Sequence, residues 1–578
     1  VLARRNTLVP ISILPAEVLM RIFHFVAFSE QPYMLGWVDV THVCQRWRQI
    51  ALDDSTLWTH FSTASSRNKE WVAERLSRAR NAPLVIDLSG LMDKDASSLF
   101  LAHISHTREL YLRNLSLVHS EIVQAVNIQN APALERLELS ANTSPTDIKR
   151  LVGDSFFKGP LPKLRIFCVS QIVFPWSLVP RGRLTQLKVT LTREVPTVPS
   201  KDSQHDDLNQ LIGLLVASPS LEVLTLHNCL PAMLSESSDG QTIPLPRLSQ
   251  LCLRGSISWV TNLLKMLRFS ASTTLRLNCA SENTATHNDY HILPFLLAHF
   301  NDPTPVKFRS FKINLDDMDR MIVVVASTSL PISPIPYAHI IQQVDNDAEL
   351  SLSSRVAELN NRLDILRRTC DGLPLSNLEF LSISFLSPNQ FNWSEIFQHC
   401  IEVTTVQVYG RGTIGLLQAL TPPKCANTTA RGEERKRKRG DNGRGAQAQP
   451  ENDDDNDRLA PVHVPIFPKL TSLLLEFLDF TDAVPGSGVL YDLVLSAVQR
   501  RKENTTPLTT LYIDRCVIRE EQANALEKVV GDFRWDQDEG DRDNYHDYYD
   551  DEFGGWPSGN DDLSMRWGGL HADWEPEW

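Results

Sequence analysis

The sequence predicts an α/β chain: a short all-helical N-terminal module followed by a long solenoid of alternating strands and helices, with a disordered insert and an acidic tail. Two observations carry the architecture. A strand-like pattern, apolar-x-x-apolar-x-apolar, recurs along most of the 578 residues. The first sixty or so residues lack that pattern and place their apolar residues at helical spacing instead. A third observation, the segregation of charge, marks the insert and the tail.

Residues 11–61 form the expected helical module. Pro15 stands near the first turn of a helix, where its missing N–H costs nothing. Glu17 lies in the same turn, favourable to the helix dipole. Leu19, Ile22, Phe23 and Val26 follow at three- and four-residue spacing. A second helix carries Val40, Val43, Cys44, Trp47, Ile50 and Ala51, and Leu57-Trp58 closes the module. A helical hairpin of this size buries too little surface to use all these large apolar side chains internally. Some should form an exposed patch, the mark of a protein contact. Leu14, Pro15, Leu19, Ile22 and Val43 are expected to face a partner, with Trp47 and Trp58 in the core.

Three blocks in order, Leu14-Pro15-x-Glu17-Val18-Leu19-x-x-Ile22-Phe23, Val43-Cys44-x-x-Trp47-Arg48-x-Ile50-Ala51 and Leu57-Trp58, resemble the F-box, closest to the F-box-like modules abundant in fungal proteins. The long stretch 27–38 between the helices departs from that pattern. The resemblance implies docking on a Skp-type adaptor within an SCF (cullin–RING) ubiquitin ligase. It assigns Leu14, Pro15, Glu17, Leu19, Ile22, Phe23, Val43, Cys44 and Leu57 to the adaptor contact. A plainer alternative is a cap on the open end of a solenoid, which does need one. A cap would not require the whole three-block pattern.

Residues 62–530 carry the repeats. The clearest copies are Leu134-x-x-Leu137-x-Leu139, Leu221-x-x-Leu224-x-Leu226, Leu248-x-x-Leu251-x-Leu253, Leu378-x-x-Leu381-x-Ile383 and Leu508-x-x-Leu511-x-Ile513. Three continue to Asn142, Cys229 and Cys516, where the leucine-rich-repeat signature wants Asn or Cys to satisfy backbone groups freed at the turn. Weaker copies centre on Ile86, Leu110, Phe167, Leu187, Leu275, Phe311, Val406 and Leu473, giving 13 in all. Between them lie helix-like segments such as 207–218 and 259–269. Units that cannot bury their own apolar side must stack, so the expected product is an irregular leucine-rich-repeat solenoid. Its protein-binding candidates are strand x positions such as Arg136, Glu138, Thr225 and Tyr512. In the gap from Phe311 to Leu381, residues 321–327 read as an extra strand. A long helix is expected there too, through Leu352, Val356, Leu359, Leu363, Leu366 and Cys370.

The interval from Val406 to Leu473 is 67 residues, but 41 of these, residues 422–462, are almost free of apolar side chains. They read as a disordered loop inserted into one repeat, since a long surface loop costs little entropy per added residue. Within it, Arg435, Lys436, Arg437, Lys438 and Arg439 have two readings: a nuclear import signal or anion-binding patch, and a solvated run flanking Asp453–Asp455. The tail, residues 531–578, carries 15 Asp/Glu against Arg534, Arg542 and Arg566, nearly all of the formal charge of −13. Five of the chain's 12 tryptophans fall there, so it is either an acidic–aromatic docking segment or a solubilising tail.

The bulk numbers close off other classes. The body is near neutral, against nucleic acid as the main ligand, and no apolar run approaches the roughly 20 residues of a membrane helix. Nine cysteines without a C-x-x-C pair fit a reducing cytoplasmic or nuclear compartment and argue against a disulfide framework or a Cys-based zinc site. Val1 in place of Met is expected to be a start inside a longer chain, and residues 1–10 are no signal peptide. Gly410-x-Gly412-x-x-Gly415 follows a strand and opens a helix, as a dinucleotide fingerprint does. That helix stops at Pro422-Pro423, and no second strand with its acidic residue follows, so it reads as a repeat turn. His287 and His291 lack the metalloprotease Glu, with Asn288 in its place, and read as a solvated loop. Asp453-x-Asp455-x-Asp457 lacks the central Gly and closing Glu of a calcium loop. No catalytic residue, cofactor or metal is expected.

The reading is therefore a non-catalytic substrate receptor. Its partners would be a Skp-type adaptor, cullin ligase subunits and an unidentified target protein, with neither membrane nor nucleic acid. The alternatives are a leucine-rich-repeat scaffold without a ligase role and a nucleotide-dependent enzyme resting only on Gly410–Gly415.

Overall fold

The computed structural model describes residues 10–28, 35–62, 68–89, 99–100, 102–115, 131–141, 161–172, 174, 176–191, 201–229, 242–280, 292–301, 305–316, 320–331, 348–356, 359–385, 393–410, 414–420, 466–484, 488–503 and 506–536. Asn142, His287, His291, the 422–462 insert with Arg435–Arg439 and Asp453–Asp457, and the tail beyond Asp536 lie outside the described residues. An N-terminal helical region precedes a mixed α/β body built on parallel sheet, and the chain divides into two compact units, one within residues 1–295 and one within 296–555.

In the first unit, nine strands follow one another in sequence order, every neighbouring pair parallel: β1 (His60–Ser62), β2 (Leu84–Ser89), β3 (Thr107–Leu115), β4 (Arg136–Ala141), β5 (Ile166–Ser170), β6 (Gln186–Thr190), β7 (Val223–His227), β8 (Gln250–Ser256) and β9 (Thr274–Ala280). The register sets every repeat centre opposite the next. Ile86, Leu110, Leu137, Phe167, Leu187, Leu224, Leu251 and Leu275 are consecutive partners, all buried. A side-chain period of two puts the residues beside them on the other face.

In the second unit, β10 (Ser310–Asp316), β13 (Phe380–Phe385), β14 (Thr405–Tyr409), β15 (Ser472–Glu476), β16 (Thr510–Asp514) and β17 (Asp532–Trp535) are parallel neighbours. Phe311, Leu381, Val406, Leu473 and Leu511 align in the same way. The extra strand expected at 321–327 is present as β11 (Met321–Ser327), antiparallel to β10 and to β12 (Leu350–Arg355).

The strands turn out alike. Gln171, Asn228, Phe477 and Arg515, each one residue past a strand end, have φ between 48° and 61°, and Gly410 stands at 81°. At four of these turns the backbone N–H continues the ladder: Gln171 donates to the Thr190 carbonyl, Asn228 to Arg254, Gly410 to Glu476 and Phe477 to Asp514. The left-handed strand end at Gly410 is thus repeated elsewhere without glycine, and the strand after it pairs directly with the one before. At Cys516 the Sγ accepts from the Leu478 amide at 3.4 Å. On the approach to the strands, hydroxyls bridge successive repeats: Ser249 donates to the Glu222 carbonyl (2.9 Å), Thr273 to Leu248 (2.7 Å) and Thr509 to Thr471 (3.0 Å).

Three boundaries differ from the sequence reading. The long helix from Leu352 to Cys370 is a strand followed by a shorter helix, Leu359–Gly372. Leu350-Ser-Leu352-Ser-Ser354 alternates at period two, and that local pattern overrides the heptad-like spacing. The helical module does not end at residue 61, because Phe61 pairs with Ile86 as the first rung of the sheet. Nor does the body end at residue 530. Phe533 pairs with Leu511 and Trp535 with Ile513, so the first five residues assigned to the tail complete the last rung.

Candidate functional site

The N-terminal module is built from three helices, α1 (Ala16–Phe28), α2 (Val40–Val43) and α3 (Gln45–Asp53), with 3-10 turns before α1 (Pro10–Ile13), before α2 (Leu35–Asp39) and after α3 (Ser55–Trp58). Its core is aromatic. Trp58 is fully buried, donates from Nε1 to the Ala51 carbonyl at 2.9 Å, and packs edge-on against Trp37 with centroids 4.9 Å apart. Phe23 packs against Trp47 at 5.2 Å. Asp54 caps the last of these turns by accepting from the Thr56 amide at 3.0 Å. It also binds His24 of α1 at 2.8 Å, tying the first helix to the last turn.

These contacts decide which apolar side chains are left over. Helix α1 carries two apolar stripes. Leu19, Phe23 and Ala27, spaced by four, are buried against the rest of the module. Val18, Phe25 and Val26 lie on the other side and are 40%, 74% and 51% exposed, with Ile22 half-buried beside them. The turn before the helix adds Ile11 and Ile13 (79% exposed), and the end of α2 adds Val43 (58%). A module of this size with six large apolar side chains in solvent offers a protein-docking surface.

The nine residues assigned to the partner contact therefore separate. Pro15, Glu17 and Val43 are exposed, and Leu14, Ile22 and Cys44 are half-buried. Leu19, Phe23 and Leu57, also expected to meet a partner, are at most 1% exposed and are packed in the module's own core. Ile11, Ile13, Val18, Phe25 and Val26 take their place on the surface. The signal for Val18, Phe25 and Val26 was in the sequence, because residues 18, 22, 25 and 26 share a helical face as consistently as 19 and 23 do.

One polar contact holds the leading turn. The exposed Arg46 on α3 donates through its two terminal nitrogens to the carbonyls of Ser12 and Leu14, more than thirty residues earlier. A guanidinium fork suits this double contact in a way an ammonium does not. It fixes the segment that displays Ile11 and Ile13.

The module is joined rigidly to the sheet. The β1–β2 pairing begins two residues after Trp58, and Phe61 packs against Phe100 at 5.3 Å with the Arg75 guanidinium 4.4 Å from its ring centroid. Arg75, 1% exposed, also donates to the His60 carbonyl. Burial and the nearby Arg108 lower the His60 pKa to about 4.

Beyond the module, the face of the first sheet opposite the leucine rows begins with a charged network. Arg113 pairs with Asp87 and Glu138, both at 3.0 Å, and Arg136 reaches Glu138 at 3.3 Å. Tyr111 lies between the two guanidiniums, 4.8 and 5.2 Å from its ring, and donates to Glu109 at 2.8 Å. Of the expected contact positions, Arg136, Glu138 and Thr225 lie on this face, and Tyr512 lies on the corresponding face of the second unit.

Among the described residues, no group of three or more His, Cys, Asp or Glu side chains is placed to hold a metal ion, and no helix is long and apolar enough to cross a membrane. The described cysteines are all free. Burial pushes the thiols of Cys168 up to about 11 and of Cys279 up to about 12, so they act as small hydrophobes rather than nucleophiles.

Residues 11–64 match the family model described as F-box-like. An F-box-like domain thus coincides with the module whose apolar residues remain in solvent. Domains of this kind typically bind Skp-type adaptors, which suggests a general adaptor role in an SCF ligase. No curated protein matches the chain.

Proposed function

We propose that this chain is a substrate receptor of an SCF-type ubiquitin ligase. Its F-box-like module docks on a Skp-type adaptor and thereby on the cullin, and its repeat body holds a target protein. The carrying observation is the set of exposed apolar side chains, Ile13, Val18, Phe25, Val26 and Val43, on a module whose core is already filled. The body is read as an irregular leucine-rich-repeat solenoid. In-register leucine rows, repeated left-handed turn residues and hydroxyl bridges between successive units support that reading. The chain contributes proximity and orientation and leaves the chemistry to other subunits. Free cysteines, five of them buried among the described residues, support a reducing cytoplasmic or nuclear setting, where Arg435–Arg439 would serve as an import signal.

The test is a titration of the full chain with a purified Skp-type adaptor, followed by calorimetry and size-exclusion chromatography. A one-to-one complex is expected, and it should be lost in the Ile13→Asp/Phe25→Asp double variant. If the folded wild-type chain fails to bind the adaptor, the ligase reading is wrong and a repeat scaffold remains.

A further inference from the structure

Three turns of the chain share one sequence, apolar-Pro-Lys/Arg-Leu, at residues 161–164, 245–248 and 467–470. Each closes alike, its last amide donating to its first carbonyl at 3.1 to 3.2 Å. Proline at the second position fixes the backbone just ahead of the cation. Each turn leads into a strand and sets its cation three residues before the first paired residue: Lys163 before Ile166 of β5, Arg247 before Gln250 of β8 and Lys469 before Ser472 of β15.

In the second unit this position is neutralised across the ladder. Glu402 stands three residues before Thr405, the partner of Ser472, and its carboxylate accepts from Lys469 at 2.7 Å. Side chains at this position on neighbouring strands therefore reach one another. The equivalent neighbours in the first unit are both cations. Ile166 of β5 pairs with Gln186 of β6, and three residues before them stand Lys163 and Arg183. The backbone enters both pairs of strands in the same way. The Thr185 and Gln186 amides donate to the Arg165 carbonyl, as those of Thr471 and Ser472 donate to that of Thr404. The row continues with Ser220 before β7 and Arg247 before β8. Arg181, two residues before Arg183, adds a fourth cation. All four cations are exposed, and among the described residues none of them has an ion pair or a side-chain hydrogen bond. One residue before the strands the charges are mixed, Glu135 and Glu222 accompanying Arg165, so the excess belongs to the outer row. Like charges at neighbouring positions repel where opposite charges attract, and Glu402–Lys469 shows the attractive arrangement on the same backbone.

We propose that this rim, Lys163, Arg183 and Arg247 with Arg181, is a docking site for an acidic segment of the target protein, whose carboxylates take the place that Glu402 holds beside Lys469. The assignment rests on the receptor reading and names the chemistry of what is received. Strands lie about 4.8 Å apart, so the row from Lys163 to Arg247 spans roughly 14 Å. An extended peptide laid along it turns every second side chain toward it, about 6.6 Å apart, so three acidic residues at alternate positions cover the row. Cations on flexible, exposed side chains add selection and speed of encounter more than affinity. Nucleic acid is the poorer occupant, because the body is near neutral and Glu135 and Glu222 line the row beside the cations.

The test uses the full chain and three fluorescein-labelled twelve-residue probes, alternating Glu-Ser, Gln-Ser and Lys-Ser, read by anisotropy. The Glu-Ser probe is expected to bind at least about tenfold more tightly than either control, and to weaken several-fold as salt rises from about 50 to 200 mM. Arg183→Glu gives Lys163 the kind of partner that Lys469 has. It should lower Glu-Ser binding at least about tenfold while thermal unfolding stays at or above that of wild type. Lys265→Gln/Lys528→Gln, which removes two exposed cations elsewhere, should lose less than about twofold. Should Arg183→Glu misfold, Lys163→Gln/Arg183→Gln must still lose about fivefold or more, and Lys163→Arg/Arg183→Lys, which keeps the charge, must stay within about threefold. Equal binding of Glu-Ser and Gln-Ser, undiminished binding in a folded Arg183→Glu chain, or tighter binding of a twelve-base DNA than of the peptide each overturns the assignment. So does binding that emerges only after residues 537–578 are removed, which would give the rim to the chain's own acidic tail. Adaptor binding is scored separately. A chain that binds adaptor but not peptide sinks the rim assignment alone. One that binds peptide but not adaptor sinks the ligase reading and leaves the rim.

Discussion

Phe23 and Phe25 are two residues apart on one helix and should fail in opposite ways when cut to alanine. Phe23 is fully buried against Trp47. Removing a buried phenylalanine side chain costs about 3–5 kcal/mol, a large share of what a small domain has to spare. Phe25 is 74% exposed, so its removal should leave the free chain's unfolding within about 0.5 kcal/mol of wild type. If the adaptor covers it, the exposed three quarters of a side chain worth roughly 200 Å² is about 150 Å² of apolar surface. At about 25 cal/mol per Å² that is an upper limit of about 4 kcal/mol. Ordering and desolvation costs at an interface lower it to about 2–3 kcal/mol, or roughly 30- to 150-fold in affinity. Thermal unfolding of the free chain and calorimetric titration with adaptor measure the two quantities on the same samples. Phe25→Ala binding adaptor within twofold of wild type would refute the claim that the outer stripe of α1 is the contact. Phe23→Ala unfolding like wild type would refute the division of the helix into two faces.

Three further outcomes follow from the same geometry. Arg46→Ala releases the Ser12 and Leu14 carbonyls and should weaken adaptor binding about five- to tenfold with little change in melting temperature; Arg46→Lys, without the planar fork, should recover only part of it, and equal binding by all three would remove Arg46 from the contact's support. Deleting residues 422–462 should leave cooperative unfolding intact and stabilise by at most about 2 kcal/mol, because β14 and β15 already pair directly, Val406 opposite Leu473; loss of the transition would show the insert to be structural. His60 and His227 both have pKa values lowered to about 4, so the unfolded chain takes up protons that the folded chain refuses. Stability is then full above about pH 6.5 and falls as pH drops from there toward 4, and urea midpoints across this range should decline less in a His60→Gln/His227→Gln variant; an unchanged slope would refute it.

How much of this was legible in the residues depends on how far each signal extends along the chain. All thirteen repeat centres fall in strands, because a pattern that recurs every few tens of residues is read many times over. The β12 strand was misread as helix because Leu352, Val356, Leu359, Leu363 and Leu366 fit a helical seam. Only the short alternation around Leu350 and Leu352 argued otherwise. The β1 strand is three residues long and offers no period to detect. The β17 strand hid in an acidic segment, where Phe533 and Trp535 alternate with Asp532, Arg534 and Asp536. In the module, the three blocks located the site but not its orientation. Spacing shows that two apolar faces exist, while which one turns inward is set by Trp47 and Trp58, aromatic partners that lie a helix away.

The join between module and sheet bears on what the proposed receptor could do. A receptor that only tethered its target would need no fixed angle between the adaptor surface and the repeat face; a flexible linker would raise local concentration as well. Here the chain goes from Trp58, in the module's core, to Phe61, in the first rung of the sheet, with no linker between them. Arg75 from the helix Lys69–Ala79 closes the corner. It donates to the His60 carbonyl and lies over the Phe61 ring, while Arg78 of the same helix lies over Trp58 at 4.5 Å. Two adjacent turns of one helix thus hold the last aromatic of the module and the first aromatic of the sheet. A change in the angle between them would have to break buried contacts on both sides. Burying Arg75 is costly, enough to lower its pKa to about 10. That cost is offset by the ring stacking and the carbonyl it satisfies, and in the proposed receptor a corner built this way would transmit orientation, not mere proximity, from the adaptor to whatever the sheet holds.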